Sequence, residues 1–145
     1  MADAATKQRP LAVLFQEVPG CAGCRQYGKD VLSSPLIVEA LEDNFVPVAV
    51  FNNTGGRDRE LLTRFKEPAW NYQVMRFMNT DLKDVVPRQD QVWSVGATAR
   101  RLASALKREK RPVPNYLTNV LIPETDPDVK IAVFAMYCFL SLIHI

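Results

Sequence analysis

The stretch VPGCAGCRQYG (Val18–Gly28) sets Cys21 and Cys24 three positions apart. It follows an apolar run, LAVLF (Leu11–Phe15), that reads as a short buried strand. It leads into Arg25–Leu32, which reads as helical. Two cysteines at this spacing are a weak motif alone and a stronger one between a strand and a helix of a β-α-β unit. Three readings are open: a thiol–disulfide pair, half of a zinc site, or two small structural residues. A helix N-terminus carries partial positive charge and unpaired amide donors, which stabilise a thiolate at Cys21. On the first reading such a thiolate can attack a disulfide, and Cys24, one turn further in, can resolve the mixed disulfide. Zinc needs four ligands. The third cysteine, Cys138, supplies one, and the single histidine, His144, is the penultimate residue.

The chain has 145 residues, 48% hydrophobic and 23% charged, an ordinary balance for one globular domain with a real core. A net charge of +2 gives no reason to expect nucleic acid or a membrane surface as partner. The apolar run Leu11–Phe15 is shorter than the roughly 7–15 residues of a secretory h-region. The expected compartment is therefore the cytoplasm, where Cys-x-x-Cys is more often catalytic or metal-binding than a structural staple.

Outward from the pair, Ser34 and Pro35 read as the N-cap and first position of a helix with Leu36, Ile37, Ala40 and Leu41 on its apolar face. FVPVAVF (Phe45–Phe51) reads as a second strand, with Pro47 at an early or edge position. NNTGG (Asn52–Gly56) reads as a plain turn, followed by a helix carrying Leu61, Leu62 and Phe65 and closed by Pro68. VMRFM (Val74–Met78) alternates as a third strand, with Val74, Arg76 and Met78 on one side and Met75 and Phe77 on the other. A fourth, antiparallel strand is expected over roughly Val85–Trp93, with Trp93 in the core. Ala97–Arg108 reads as the last clear helix, and the basic run Lys107–Arg111 as its solvated end. The order β-α-β-α-β-β-α implies an α/β fold, a mixed central sheet with helices on both faces.

This order, with GCAGC at the head of the first long helix, resembles the thioredoxin-like family. CAGCRQYGKDVLSSPLIVEALEDNFVPVAV looks like a subgroup with a serine-proline helix followed by an NFVPV strand. VPGCAGC is similar to a small bacterial group, some of whose members carry selenocysteine at the first cysteine. The resemblance implies a thiol–disulfide oxidoreductase with Cys21 attacking and Cys24 resolving, no cofactor, and a disulfide-bearing protein or small-molecule thiol as partner. It sets Pro19, Gly20 and Gln73 around the substrate, and EPAWNYQ (Glu67–Gln73) brings Trp70 and Tyr72 near the same loop, either as a substrate platform or as core aromatics that cap the end of the sheet. Three positions depart from thioredoxin itself. Gly20 stands where it has tryptophan, Phe15 where it has a buried aspartate, and Gln73 where most members have a cis-proline. Those departures keep a second reading open, a binding module that does not turn over.

Residues 10–111 are thus expected as the domain and 112–130 as a proline-rich linker. Residues 131–145 are expected as a truncated stub or an artefactual tail. VFAMYCF, around Cys138, weakly resembles the start of a methionine-S-sulfoxide reductase domain. LSLIHI (Leu140–Ile145) looks like a translated sequencing-adaptor tail. The tail's apolar run falls short of the roughly 20 residues that span a bilayer.

Overall fold

A computed structural model describes residues 9–18, 20–69 and 73–120. Three strands form one mixed sheet in the order β2-β1-β3: β1 Leu11–Gln16, β2 Val46–Phe51 and β3 Val74–Met78. β1 is central because LAVLFQ carries apolar side chains in both directions. Ala12 packs with one core cluster, while Leu11, Val13 and Phe15 pack with the other. β2 runs parallel to β1 (Leu11↔Val46 to Gln16↔Phe51), and β3 runs antiparallel (Leu11↔Met78 to Phe15↔Val74). β2 is an edge, where Pro47 costs no ladder hydrogen bond on its free side.

Five helices surround the sheet among the described residues: α1 Ala22–Tyr27, α2 Pro35–Asn44, α3 Gly56–Phe65, α4 Val95–Arg108 and α5 Asn115–Asn119. α1 runs on through a wider π turn, Gly28–Leu32, closed by the Ser33 N–H on the Gly28 carbonyl at 3.0 Å. Ser34 and Pro35 start α2 as expected, and Ile37 and Ala40 on its inner face are fully buried. One core joins α1, α2, α4 and α5 to Ala12, Met75 and Phe77; the other lies under α3, around Phe15, Val50 and Leu62. Each fully buried large apolar side chain contributes about 1.5–3 kcal/mol relative to exposure. The alternation read in β3 holds, with Met75 and Phe77 in the first core and Met78 in the second.

Three expectations need correction. The fourth strand is absent from the described residues: pairing beyond β3 stops at a single bridge, Met78↔Asp84, and at the Val85 N–H on the Phe77 carbonyl. Pro87 then removes a donor, and Arg76 and Asp84 pair through their side chains. Trp93 is 45% exposed and not a core residue, because no ladder carries it onto the sheet. Residues 113–120, expected as linker, pack on the domain: Leu117 is fully buried, and Val113, Tyr116 and Val120 lie against the same core. Cys138 and the tail lie outside the described residues.

Candidate functional site

The parallel register of β1 and β2 fixes where the cysteines sit. Gln16 pairs with Phe51, so both strands end at one edge of the sheet. The residues two positions beyond each end, Val18 and Asn53, then meet. The Asn53 carboxamide accepts from the Val18 N–H at 3.1 Å and donates to the Val18 carbonyl at 2.7 Å. This clamp holds the loop that delivers Cys21. β3 begins at the same edge, because Phe15 faces Val74.

Cys21 is the N-cap of α1, and its sulfur accepts the Cys24 N–H at 3.3 Å. The two sulfurs lie 3.0 Å apart and both are free thiols. Their surroundings differ. Cys24 is buried (4% exposed), whereas Cys21 is partly open to solvent. The hydrogen bond from the Cys24 thiol, with the Cys24 and Gly23 backbone amides, holds the Cys21 thiol below the ordinary cysteine range, against burial and the Glu17 charge. Burial first, and the bond to Cys21 second, push the Cys24 thiol up. Two thiols of one type are therefore split by environment, the more open one held toward its thiolate and the buried one toward its thiol.

The two glycines that flank the first cysteine turn differ in how much space they need. A Cβ on Gly20 would lie 2.9 Å from the Cys24 Cβ, a contact that forces the backbone to move. A Cβ on Gly23 would lie 3.3 Å from the Trp93 ring and 3.9 Å from the Cys21 sulfur. Trp93 therefore covers the turn between the cysteines. Sequence reasoning missed both Trp93 and Asn53. The register of the parallel strands carried the signal for Asn53, whereas Trp93 reaches the site through an irregular segment that has no periodicity to read.

Gly20 lies beside the pair, against Cys24. Gln73 stands at the start of β3, on the same sheet edge, but is 4% exposed, and its Oε1 meets no hydrogen-bond donor among the described residues. It lines a small internal space with Tyr27 and Thr98. Pro19, Trp70 and Tyr72 lie outside the described residues. Phe15, standing where thioredoxin has a buried aspartate, is buried edge-on against Phe65, 5.9 Å between ring centres. No group of three or more His, Cys, Asp or Glu side chains among the described residues is placed to hold a metal ion.

A family model described as thioredoxin-like matches residues 1–80. The curated proteins give no match. Among solved structures, the chain is similar to a DsbH oxidoreductase at 17% identity and a TM-score of 0.59, over 73% of this chain and 78% of that one. It is also similar to a thioredoxin from Thermus thermophilus at 24% identity and a TM-score of 0.55, over 70% and 76%. At these identities the two structures speak to the fold.

Proposed function

The chain belongs to the thioredoxin-like family, and from that premise we propose that it is a thiol–disulfide oxidoreductase working through Cys21 and Cys24. The observation that carries the reading is the division of labour within one pair. The open Cys21 sulfur is held toward its thiolate, and the buried Cys24 sulfur waits 3.0 Å behind it. The Cys21 thiolate attacks one sulfur of a substrate disulfide, forms a mixed disulfide and expels the other sulfur as a thiolate. Cys24 loses its proton to solvent and attacks the Cys21 sulfur. That step releases the second substrate thiolate and leaves a Cys21–Cys24 disulfide. Two electrons have passed to the substrate, and an external thiol or dithiol returns them. A bonded pair needs a separation of about 2 Å, so closure asks for about 1 Å of movement.

A disulfide-bearing protein or a small-molecule thiol fits this chemistry as partner. A cytoplasmic setting is part of the proposal, because a reducing compartment supplies the returning thiol. Reduction of a peptide disulfide, driven by dithiothreitol, tests the reading. Cys21→Ser is expected to fall to background, and Cys24→Ser, mixed with the peptide disulfide without dithiothreitol, to accumulate the mixed disulfide visible by mass spectrometry. Equal rates for wild type and Cys21→Ser would sink the proposal in favour of a binding module that does not turn over.

A further inference from the structure

Beside the cysteine turn, the irregular segment that carries Trp93 forms one wall of a second feature. Gln89 and Val92 on that segment face Arg100, Arg101, Ser104 and Arg108 on α4 across a groove of about 440 Å³. That volume is in the range of sites that hold a few side chains or a small ligand. On a helix, residues 100, 104 and 108 recur every four positions and line one face. No carboxylate lines the groove among the described residues.

The three arginines carry no ion pair among the described residues. Arg101 is held by neutral acceptors only: its guanidinium donates to the Gln89 side-chain oxygen at 2.8 Å and to the Pro87 carbonyl at 2.9 Å. It also sits over the Phe77 ring, 5.6 Å from its centre. The Asp84 carboxylate, which attracts it, is bonded to Arg76. Arg101 is thus fixed in place with no carboxylate bonded to it among the described residues. Arg100 and Arg108 extend the same positive face along the helix, about 12 Å apart by its rise of about 1.5 Å per residue.

From this arrangement we infer that the α4 groove binds an acidic, extended segment of the protein that carries the substrate disulfide. The inference rests on the oxidoreductase reading and names its substrate class. Val92, in the groove wall, is followed directly by Trp93, which covers the turn between the cysteines. A chain that brings its disulfide to Cys21 past Trp93 has the groove beside it on the Val92 side. An extended chain advances about 3.3 Å per residue, so carboxylates three or four residues apart span the distance from Arg100 to Arg108. Arginine suits this task because its planar fork meets a carboxylate with two parallel hydrogen bonds.

Two matched peptide disulfides test the inference, one with Glu and Asp flanking the cystine and one with Gln and Asn. In low salt, wild type is expected to show a KM about three- to tenfold lower for the acidic peptide, a preference that 0.5 M salt erases. In Arg100→Gln/Arg108→Gln, checked for an unchanged melting temperature, the ratio of the two KM values is expected to fall to about one. Equal KM values in wild type, or a preference that survives the double substitution, overturn the inference. Binding of the reduced acidic peptide to Cys21→Ser/Cys24→Ser, followed by fluorescence anisotropy, separates this claim from catalysis. Salt-sensitive binding there supports the groove even if turnover fails. Tighter binding of a single-stranded oligonucleotide than of the acidic peptide at equal ionic strength overturns it.

Discussion

Gly20 and Cys24 meet at a distance that no side chain tolerates, so the smallest residue precedes Cys21 for steric reasons. Gly20→Ala puts a methyl group 2.9 Å from the Cys24 Cβ, which belongs to the helix backbone's own framework and cannot swing aside. The expected loss is about 1–3 kcal/mol, the usual range for overpacking, read by urea unfolding. Gly23→Ala meets only the edge of the half-exposed Trp93 ring and is expected to cost less. The thiol asymmetry has a signed consequence. A lowered Cys21 pKa keeps its thiolate present at lower pH than in a free cysteine, so its alkylation by iodoacetamide has a midpoint below the ordinary one. Cys24→Ala removes the donor that lowers it most, and the midpoint moves up; Glu17→Gln removes a charge that raises it, and the midpoint moves down by less. The pH profile of alkylation, with the product located by mass spectrometry, checks both directions. At this scale the cysteines were legible, because a spacing of three on a helix places them on one side. Asn53 and Trp93 were not, because they approach from elements 32 and 72 residues after Cys21 and only the folded chain brings them there.

Among the elements, β3 shows what period alone conveys and what it misses. Alternation correctly sends Met75 and Phe77 to one core and Met78 to the other. It gives no account of Arg76, a charged residue only 9% exposed. Arg76 bonds Glu67 and the Phe65 carbonyl, each at 3.0 Å, and pairs with Asp84, while its guanidinium lies over the Phe65 ring. Glu67 also takes Arg88, at 2.8 and 3.0 Å. The partners are 9 and 21 residues from Glu67, separations that no local pattern encodes. The network ties the end of α3 to β3 and to the segment after it. It stands where a fourth strand was expected, and its side-chain bonds do part of what a ladder would have done. The Glu67 side chain is 1% exposed, so its removal strands buried arginine charge. Glu67→Ala is expected to cost about 3–5 kcal/mol in urea unfolding, the usual loss when one partner of a buried pair is deleted. Asp90, which meets Arg88 at the surface with 38% of its side chain exposed, is the control. Asp90→Ala is expected to cost no more than about 1 kcal/mol. Similar losses for the two would mean that the network is not the support for β3 described above.

At the scale of the whole molecule, the α/β plan was legible because apolar runs of strand length alternate with amphipathic helices, and that order admits few topologies. Where the domain ends was not legible. From Arg111 onward, prolines interrupt every period, and a proline-rich segment without a repeat reads as a linker. The structure instead turns the chain at Pro114 into the short helix α5, whose Leu117 drops into the core shared by α2 and α4. Tyr116 reaches the end of α2, where the Asn44 side chain donates to its hydroxyl at 3.2 Å. A helix of five residues is far below the length at which helices hold in isolation, so α5 exists because of this docking. Leu117→Ala therefore tests whether the cooperative unit runs through residue 120. If it does, the variant loses about 2–5 kcal/mol, the range for a fully buried leucine. Asn119→Ala, on the exposed side of the same helix, is expected to stay within about 0.5 kcal/mol of wild type. If residues from 112 onward were a linker, both substitutions would leave urea unfolding unchanged. A loss confined to Leu117→Ala, in a single transition with an unchanged denaturant slope, makes the closing segment part of the fold that positions α4 and, through Trp93, the cysteine turn.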